Sequence, residues 1–255
     1  MPHLLLVNPN RLKPAVAPIA LDYLASAARR HGFTAGLLDL CFADDPAQAI
    51  DACFAQSDGD LLAVAVTLRN TDDAHYGGRR FFLPQVKEVV ERIRGHSRAP
   101  VVLGGSGFST MPELVLAYCG VDLGVWGEGE AALPELLRRL QRREDPDGIP
   151  GLVQRTPAGF MRTPPAYLDL RAQPAPDRDT ADHRRYFAEG GQGGVETKRG
   201  CLMKCTYCAD PLGKGTRIRL RSPESVADEV EQLLAMGVDH LHLCDSEFNL
   251  PPEHA

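Results

Sequence analysis

The chain has 255 residues, of which 44% are apolar and 24% charged, enough for one large packed domain or two ordinary ones. The net charge of −6 gives no electrostatic reason to expect nucleic-acid binding, since proteins that bind nucleic acid usually carry a basic face. The apolar stretch at Leu4 lacks the length and the positive start of a signal peptide, and no segment is apolar for the roughly eighteen residues of a membrane span. We therefore expect a cytoplasmic protein that contacts neither membrane nor nucleic acid.

Residues 1–141 alternate between short apolar strands and amphipathic helices. The third strand is apolar at every position, as expected of a strand that is covered on both faces. This alternation predicts a Rossmann-like or flavodoxin-like domain with a doubly wound parallel sheet. The predicted strands are 4–7, 35–40, 61–66, 101–103 and 122–126, and the predicted helices are 19–30, 47–55, 84–94, 112–118 and 130–141.

Residues 142–193 differ in composition, because Pro, Gly, Asp and Arg crowd together there. We interpret this segment as a traversing linker. Two stretches within it, 151–154 and 160–163, flank a Pro-Ala-Gly turn and are expected to pair as a small hairpin.

Residues 194–255 begin a second α/β unit. A strand over 194–198 leads into a cysteine-rich loop, a helix follows Ser222 as its N-cap and ends at Gly237, and another strand covers 240–243. This order is the start of a β/α barrel, whose functional loops gather at the carboxyl ends of the strands. A complete barrel needs several more units, so we expect the sequence to be the N-terminal portion of a longer protein.

The cysteine loop contains the spacing C-x3-C-x2-C at Cys201, Cys205 and Cys208. Three thiolates this close together can hold three corners of an iron–sulfur cube, whereas most 4Fe–4S electron carriers use four cysteines. One iron would then remain open for another ligand. The alternative is a structural zinc with Cys244 or His242 as the fourth ligand.

Ligands of open parallel sheets bind beyond the carboxyl ends of the strands. Small residues at such ends let a large ligand approach the backbone closely. The candidate cofactor-binding residues at these ends are Asn8, Asn10, Thr67, Arg69, Asn70, Gly104, Gly105, Ser106, Gly127, Glu128 and Gly129.

The cysteine spacing, the Tyr207 that precedes its last cysteine and the glycine-rich strand ends together resemble the cobalamin-binding radical S-adenosylmethionine (SAM) family. That resemblance implies a 4Fe–4S cluster on the three cysteines, SAM on the open iron and cobalamin on the N-terminal domain. It also implies that Tyr207 contacts the adenine of SAM through its backbone. Asp245, Ser246 and Glu247 occupy the position of the family's Gly-Gly-Glu segment, which binds the SAM amino group, although both glycines are absent here.

The chain departs from many cobalamin-binding domains in its lower cobalt ligand. The usual D-x-H-x-x-G string is missing after the first strand and occurs instead at 73–78, after the third. His75 is therefore either a displaced cobalt ligand or a surface histidine. Arg69 either pairs with Asp72 or Asp73 or faces cobalt, which it cannot ligate because it stays protonated. The resemblance favours the second role, which implies a low-coordinate, strongly nucleophilic cobalt.

The resemblance implies a cobalamin-dependent radical SAM methyltransferase that moves a methyl group from SAM to a carbon of a small molecule. Within the family, the 67–70 segment and the missing histidine are similar to the branch that methylates C2 of tryptophan in thiopeptide antibiotic biosynthesis. Flavodoxin or ferredoxin is the expected electron donor. The alternatives are a radical enzyme that cyclises or rearranges its substrate, and a zinc-stabilised module that binds a nucleotide.

Overall fold

A seven-stranded sheet organises the N-terminal half of the computed structural model, which describes residues 2–55, 61–73, 75–78 and 80–254. Its order is β2-β1-β3-β4-β5-β6-β7, and β1 to β5 are parallel. The order 2-1-3-4-5 is that of flavodoxin-like doubly wound sheets, so the predicted fold class is confirmed. The parallel strands are β1 (Leu4–Asn8), β2 (Ala35–Asp39), β3 (Ala63–Thr67), β4 (Val101–Gly104) and β5 (Leu123–Val125).

Helices cover both faces of this sheet because the side chains of each strand alternate between its two sides. Leu4 and Leu6 belong to a core with α1 and α6, whereas Leu5 and Val7 belong to a core with α2, α3 and α5. The helices of this half are α1 (Ile19–Arg30), α2 (Pro46–Ala55), α3 (Leu83–His96), α4 (Ser106–Thr110), α5 (Pro112–Cys119) and α6 (Gly129–Arg142).

The predicted hairpin is present as β6 (Leu152–Thr156) and β7 (Gly159–Arg162), which pair antiparallel. It does not stand apart as a linker element. β6 also pairs with β5, so the hairpin extends the central sheet by two strands. The domain boundary at residue 141 stays a prediction.

The C-terminal part contains the expected parallel strand pair, β8 (Gly193–Val195) and β11 (Leu241–Leu243), joined through helix α9 (Pro223–Ala235). The Ser222 hydroxyl accepts a hydrogen bond from Ser225 N at 3.1 Å, which confirms the predicted N-cap. The remaining elements are α7 (His183–Ala188), β9 (Lys198–Arg199), α8 (Asp210–Lys214), β10 (Arg219–Leu220) and short 3-10 turns at Leu170–Ala172 and Pro252–His254.

The strand predicted over 194–198 is wrong in one respect, because the structure divides it into β8 and β9. The cause is Asp245, whose carboxylate accepts hydrogen bonds from Thr197 N at 2.8 Å and Lys198 N at 3.2 Å. The Thr197 amide, at the break between β8 and β9, is therefore bound by a side chain and does not extend the β8–β11 pairing.

A buried ionic network joins α1 to the C-terminal part. Arg178 Nη1 lies 3.4 Å from Asp22 Oδ2 and 3.2 Å from Glu229 Oε1, and all three side chains are fully buried. Arg221 pairs with the same Glu229, and His183 Nε2 lies 2.8 Å from Asp22 Oδ2. Two carboxylates thus face two guanidinium groups, which balances the buried charge.

Within the described part of the chain, no helix is both long enough and apolar enough to cross a membrane.

Candidate functional site

A cavity of about 850 Å³, partly open to solvent, lies at the carboxyl ends of β3, β4 and β5. Its inner walls are apolar and come from the strands and from Leu21, Leu24 and Leu133 of helices α1 and α6. A largely apolar lining with a few polar groups at the carboxyl ends of parallel strands is typical of cofactor sites. Seven of the candidate residues line it together: Thr67, Gly104, Gly105, Ser106, Gly127, Glu128 and Gly129.

The glycine at 105 is required by the chain's own packing. Its φ is +103°, and a Cβ atom there would lie 2.6 Å from Leu68 O and 2.8 Å from Thr67 Oγ1. Only glycine adopts this conformation without strain. Gly105 therefore lets the ends of β3 and β4 meet at the cavity rim, a role that does not depend on a ligand.

Arg69 lies on a neighbouring pocket of about 310 Å³, which Asn10, Thr67 and Asn70 also line. Thr67 lines both this pocket and the larger cavity. The Ser106 hydroxyl donates a hydrogen bond to Arg69 O at 2.8 Å and so fixes the backbone at this position. The Arg69 side chain is exposed, and no ion pair involves it among the residues that the structure describes.

Asn8 lies away from the cavity in a buried polar cluster. Its Nδ2 donates to Asp39 Oδ1 at 2.9 Å and to the Tyr186 hydroxyl at 3.0 Å. Burial and the Asp39 carboxylate raise the pKa of Tyr186, which keeps its hydroxyl protonated as a donor. The Asn10 Oδ1 accepts from Leu12 N at 3.2 Å. Both asparagine side chains thus have partners within the chain.

His75 occupies the exposed turn between β3 and α3. Its Nδ1 accepts a hydrogen bond from Gly77 N at 3.3 Å, and its own N donates to Asp73 Oδ1 at 3.1 Å. It lines neither the larger cavity nor the Arg69 pocket. This is the environment of a surface histidine.

The cysteine loop, residues 200–218, connects β9 to β10. Its two ends are drawn together at Gly200, whose φ is +92° and where a Cβ would lie 2.1 Å from Arg217 O. Cys201 N donates to Gly215 O at 3.1 Å, and Cys208 N donates to Cys205 O at 3.2 Å. Cys201 is buried, Cys205 half-buried and Cys208 exposed.

Among the described residues, no group of three or more His, Cys, Asp or Glu side chains is arranged to hold a metal ion, the three loop cysteines included. A tetrahedral zinc site needs its ligands to converge on one ion, whereas an iron–sulfur cube takes each thiolate on a different iron. The Cys244 thiol, the proposed fourth zinc ligand, faces His242 O at 3.7 Å, and burial raises its pKa.

The cysteine loop covers the cavity. Helix α8 within the loop packs on α4, which begins directly after Gly105. Gly213 and Lys214 of the loop, together with Arg199 at its base, line the same cavity as Gly104 and Gly105. The strand ends and the cysteine loop therefore enclose one shared space.

The residues expected to bind SAM differ in whether their side chains already have hydrogen-bond partners within the chain. Asp245 holds the backbone of Thr197 and Lys198 and also accepts a hydrogen bond from the Thr197 hydroxyl at 2.6 Å. The Ser246 hydroxyl donates to Asp210 Oδ2 at 2.7 Å. Glu247 and Tyr207 are exposed, and a hydrogen bond to Cys205 raises the pKa of Tyr207.

Two arginines at the base of the cysteine loop pair with acidic residues, and neither pairing was predicted from the sequence. Arg199 Nη1 lies 2.6 Å from Glu130 Oε1, and Arg199 Nε lies 2.8 Å from Glu196 Oε2. Burial alone would lower the pKa of Arg199, but the carboxylates around it raise that pKa well above its ordinary value. Arg219 Nη2 lies 2.7 Å from Glu128 Oε1. The Gly-Glu-Gly-Glu sequence at 127–130 marks the two acidic residues as unusual, but the local sequence does not predict which arginines they pair with.

A family profile described as "B12 binding domain" matches residues 10–137, half of the chain. The tryptophan 2-C-methyltransferase of Streptomyces laurentii is 37% identical over an alignment that covers 98% of this chain and 50% of that protein. The chain belongs to the cobalamin-binding radical SAM family. The hopanoid C-3 methylase of Methylococcus capsulatus is 28% identical, with 87% of this chain and 41% of that protein aligned.

Solved structures of this family show the same fold. The radical SAM methyltransferase TsrM from Kitasatospora setae, solved with cobalamin and a 4Fe–4S cluster, superposes with a TM-score of 0.91 and 39% identity. That match covers all of this chain and 49% of TsrM, so the chain spans about half the length of these relatives. The cobalamin-dependent enzyme OxsB shares the fold at 20% identity and a TM-score of 0.79, over 97% of this chain and 34% of OxsB.

Proposed function

We propose that this chain forms the cobalamin-binding and cluster-binding part of a cobalamin-dependent radical SAM methyltransferase. The observation that carries the proposal is the shared cavity, whose lining includes both the Gly104–Gly105 strand end and Arg199 and Lys214 of the cysteine-loop region. A site that transfers a group between two cofactors needs them next to each other in a space that excludes water.

The residues around the cavity fit the two cofactors. The backbone at Gly104, Gly105 and Gly127 and the apolar side chains of Leu21 and Leu133 would hold part of cobalamin. Cys201, Cys205 and Cys208 would ligate the cluster, and Tyr207 and Glu247, both exposed beside it, would contact SAM. When bound, these groups supply a cobalt that accepts a methyl from SAM and passes it to a carbon.

Arg69 is the proposed catalytic residue of the chain. Its guanidinium cannot ligate a metal, because it has no lone pair available at any physiological pH. The Ser106–Arg69 hydrogen bond holds its backbone at the mouth of the pocket that shares Thr67 with the larger cavity. A fixed positive charge there would exclude a lower cobalt ligand and favour a nucleophilic cobalt.

Tryptophan is the proposed methyl acceptor, with methylation at C2. Support comes from similarity: the S. laurentii relative is named for that activity, and a K. setae TsrM structure holds tryptophan with a SAM analogue. That structure is 39% identical to this chain, with a TM-score of 0.89. We further propose that the protein acts in the cytoplasm and receives electrons from a flavodoxin or ferredoxin.

The test uses full-length protein reconstituted anaerobically with iron, sulfide and hydroxocobalamin and then desalted. We expect a broad iron–sulfur absorbance together with retained corrin bands, and transfer of a deuterated methyl from SAM to tryptophan, detected by mass spectrometry. A cluster without corrin bands would refute cobalamin binding. Both cofactors with a cyclised or rearranged product and no added methyl would favour the non-methylating alternative.

A further inference from the structure

The two ends of the cysteine loop place two arginines opposite each other. Arg199 of β9 and Arg219 of β10 are direct cross-strand partners in an antiparallel pair. Like charges at directly opposed positions destabilise such a pair unless something neutralises them. Nearby carboxylates should therefore stabilise the closed base of the loop that carries the three cysteines.

Glu128 supplies the carboxylate that both arginines share. Its Oε1 lies 2.7 Å from Arg219 Nη2 and 3.6 Å from Arg199 Nη1. Its Oε2 accepts from Arg219 Nη1 at 2.9 Å and from Leu168 N at 3.0 Å. The Glu128 side chain is only 5% exposed, so water screens these contacts little.

Glu128 also belongs to the cavity wall. It follows the end of β5, precedes α6 and lines the cavity beside Gly127 and Gly129. Arg199 lines the same cavity. One carboxylate is thus shared by the cavity wall and by both ends of the cysteine loop.

We propose that Glu128 is a positioning residue that holds the base of the cysteine loop closed over the cobalamin cavity, so that cavity occupancy and loop order stabilise each other. The proposal rests on the proposed function only in naming cobalamin as the occupant. Glu128 acts through Arg199 and Arg219 and touches no reacting atom. By linkage, hydroxocobalamin should then protect the loop from opening, and an open loop should weaken hydroxocobalamin binding equally.

The experiment compares Glu128→Gln with Glu135→Gln in reconstituted full-length protein. Glu135 is a matched control because it lies on α6, the helix that Glu128 precedes, and also pairs with two arginines, Arg138 and Arg139, at a more exposed position. Trypsin cleavage after the exposed Arg217 reports loop opening, and cleavage after the exposed Arg98 is the internal reference. Hydroxocobalamin affinity is measured by absorbance titration.

For Glu128→Gln we expect cleavage after Arg217 to accelerate about tenfold, because glutamine keeps the shape but loses the charge-assisted hydrogen bonds. Hydroxocobalamin should protect this site in the wild type and in Glu135→Gln but not in Glu128→Gln, whose affinity for hydroxocobalamin should fall by a similar factor. Cleavage after Arg98 should not change.

Wild-type cleavage and affinity in Glu128→Gln would overturn the proposal. So would faster cleavage with undiminished protection by hydroxocobalamin, since Glu128 would then fasten the loop without coupling it to the cavity. If Glu128→Gln does not fold, Arg219→Lys serves in its place, because it keeps the charge but loses the two-pronged contact. A wild type that binds no hydroxocobalamin would refute the proposed function. It would also overturn the coupling, because no bound cofactor could then protect the loop from cleavage. Retained corrin bands with no methyl transfer would count against the function alone.

Discussion

Replacing Arg178 with methionine tests whether the buried ionic network holds the two parts of the chain together. The Arg178 guanidinium lies against Asp22 of α1 and Glu229 of α9, and its Nη2 donates to Gly194 O at 2.7 Å. Methionine fills much of the same volume but carries no charge. Of the two guanidinium groups that face the carboxylates of Asp22 and Glu229, only that of Arg221 then remains, so one buried negative charge is left uncompensated.

The size of the effect follows from that burial. Removing one partner of a buried ion pair costs about 3–5 kcal/mol, because the charge left behind keeps its desolvation penalty. For a protein of this size, that corresponds to a fall in melting temperature of roughly 6–20 °C. The matched control is Arg29→Met. Arg29 Nη1 on α1 lies 2.6 Å from Oδ1 of Asp179, the residue after Arg178, and both side chains are substantially exposed. Exposed pairs contribute less than about 1 kcal/mol.

The assay is equilibrium urea unfolding of the cofactor-free protein, followed by circular dichroism. We expect the unfolding free energy of Arg178→Met to drop by the larger amount with an unchanged dependence on urea concentration, which indicates that the same surface is exposed on unfolding. Equal losses in Arg178→Met and Arg29→Met would refute the reasoning, since burial would then have made no difference.

Three further outcomes are expected. Cys205→Ala should remove the iron and acid-labile sulfide but retain hydroxocobalamin, because the cysteine and the strand-end glycines belong to different elements; loss of both would contradict this division. Arg69→Lys should alter the visible spectrum of bound cobalamin and His75→Ala should not, with a shift in the second reviving His75 as a ligand. Iodoacetamide at pH 8 should label Cys208 of the cluster-free chain well before Cys119, because burial raises the pKa of Cys119 to about 11 and leaves little thiolate; mass spectrometry of the two peptides measures this.

The sheet could be predicted from the sequence because its central strands β1, β3 and β4 are almost entirely buried and carry continuous apolar runs. Helix α4 could not, since Ser106–Thr110 is five residues long and its polar and glycine-rich composition has no helical period. The two-residue strands β9 and β10 carry no pattern of their own. They exist because Gly200 lets the chain cross close to Arg217 O.

The candidate site could likewise be predicted only in part from the sequence. The strand-end glycines could be located because topology brings the carboxyl ends of parallel strands to one edge. Asn8 was assigned to cofactor binding from its position alone, but its side chain bonds to Asp39 and Tyr186. The contact with Tyr186 spans 178 residues, and no local sequence pattern predicts it. Glu128 was predicted at the carboxyl end of the fifth strand and lines the cavity there, but its arginine partners lie 71 and 91 residues further along the chain.

The opposed arginines of β9 and β10 have a consequence for how this family varies and can be recombined. Residues 128 and 219 should change together among relatives, because Glu128 is the carboxylate nearest Arg219, and without it Arg219 faces Arg199 with its charge uncompensated. Arg199 is expected to vary independently of residue 128, since Glu130 and Glu196 lie closer to it. A chimera that joins this cysteine-loop region to a foreign cobalamin module is therefore expected to fail unless the donor module carries an acidic residue at the end of its fifth strand. Compatibility between modules would then depend on the Glu128–Arg219 pair more than on overall identity.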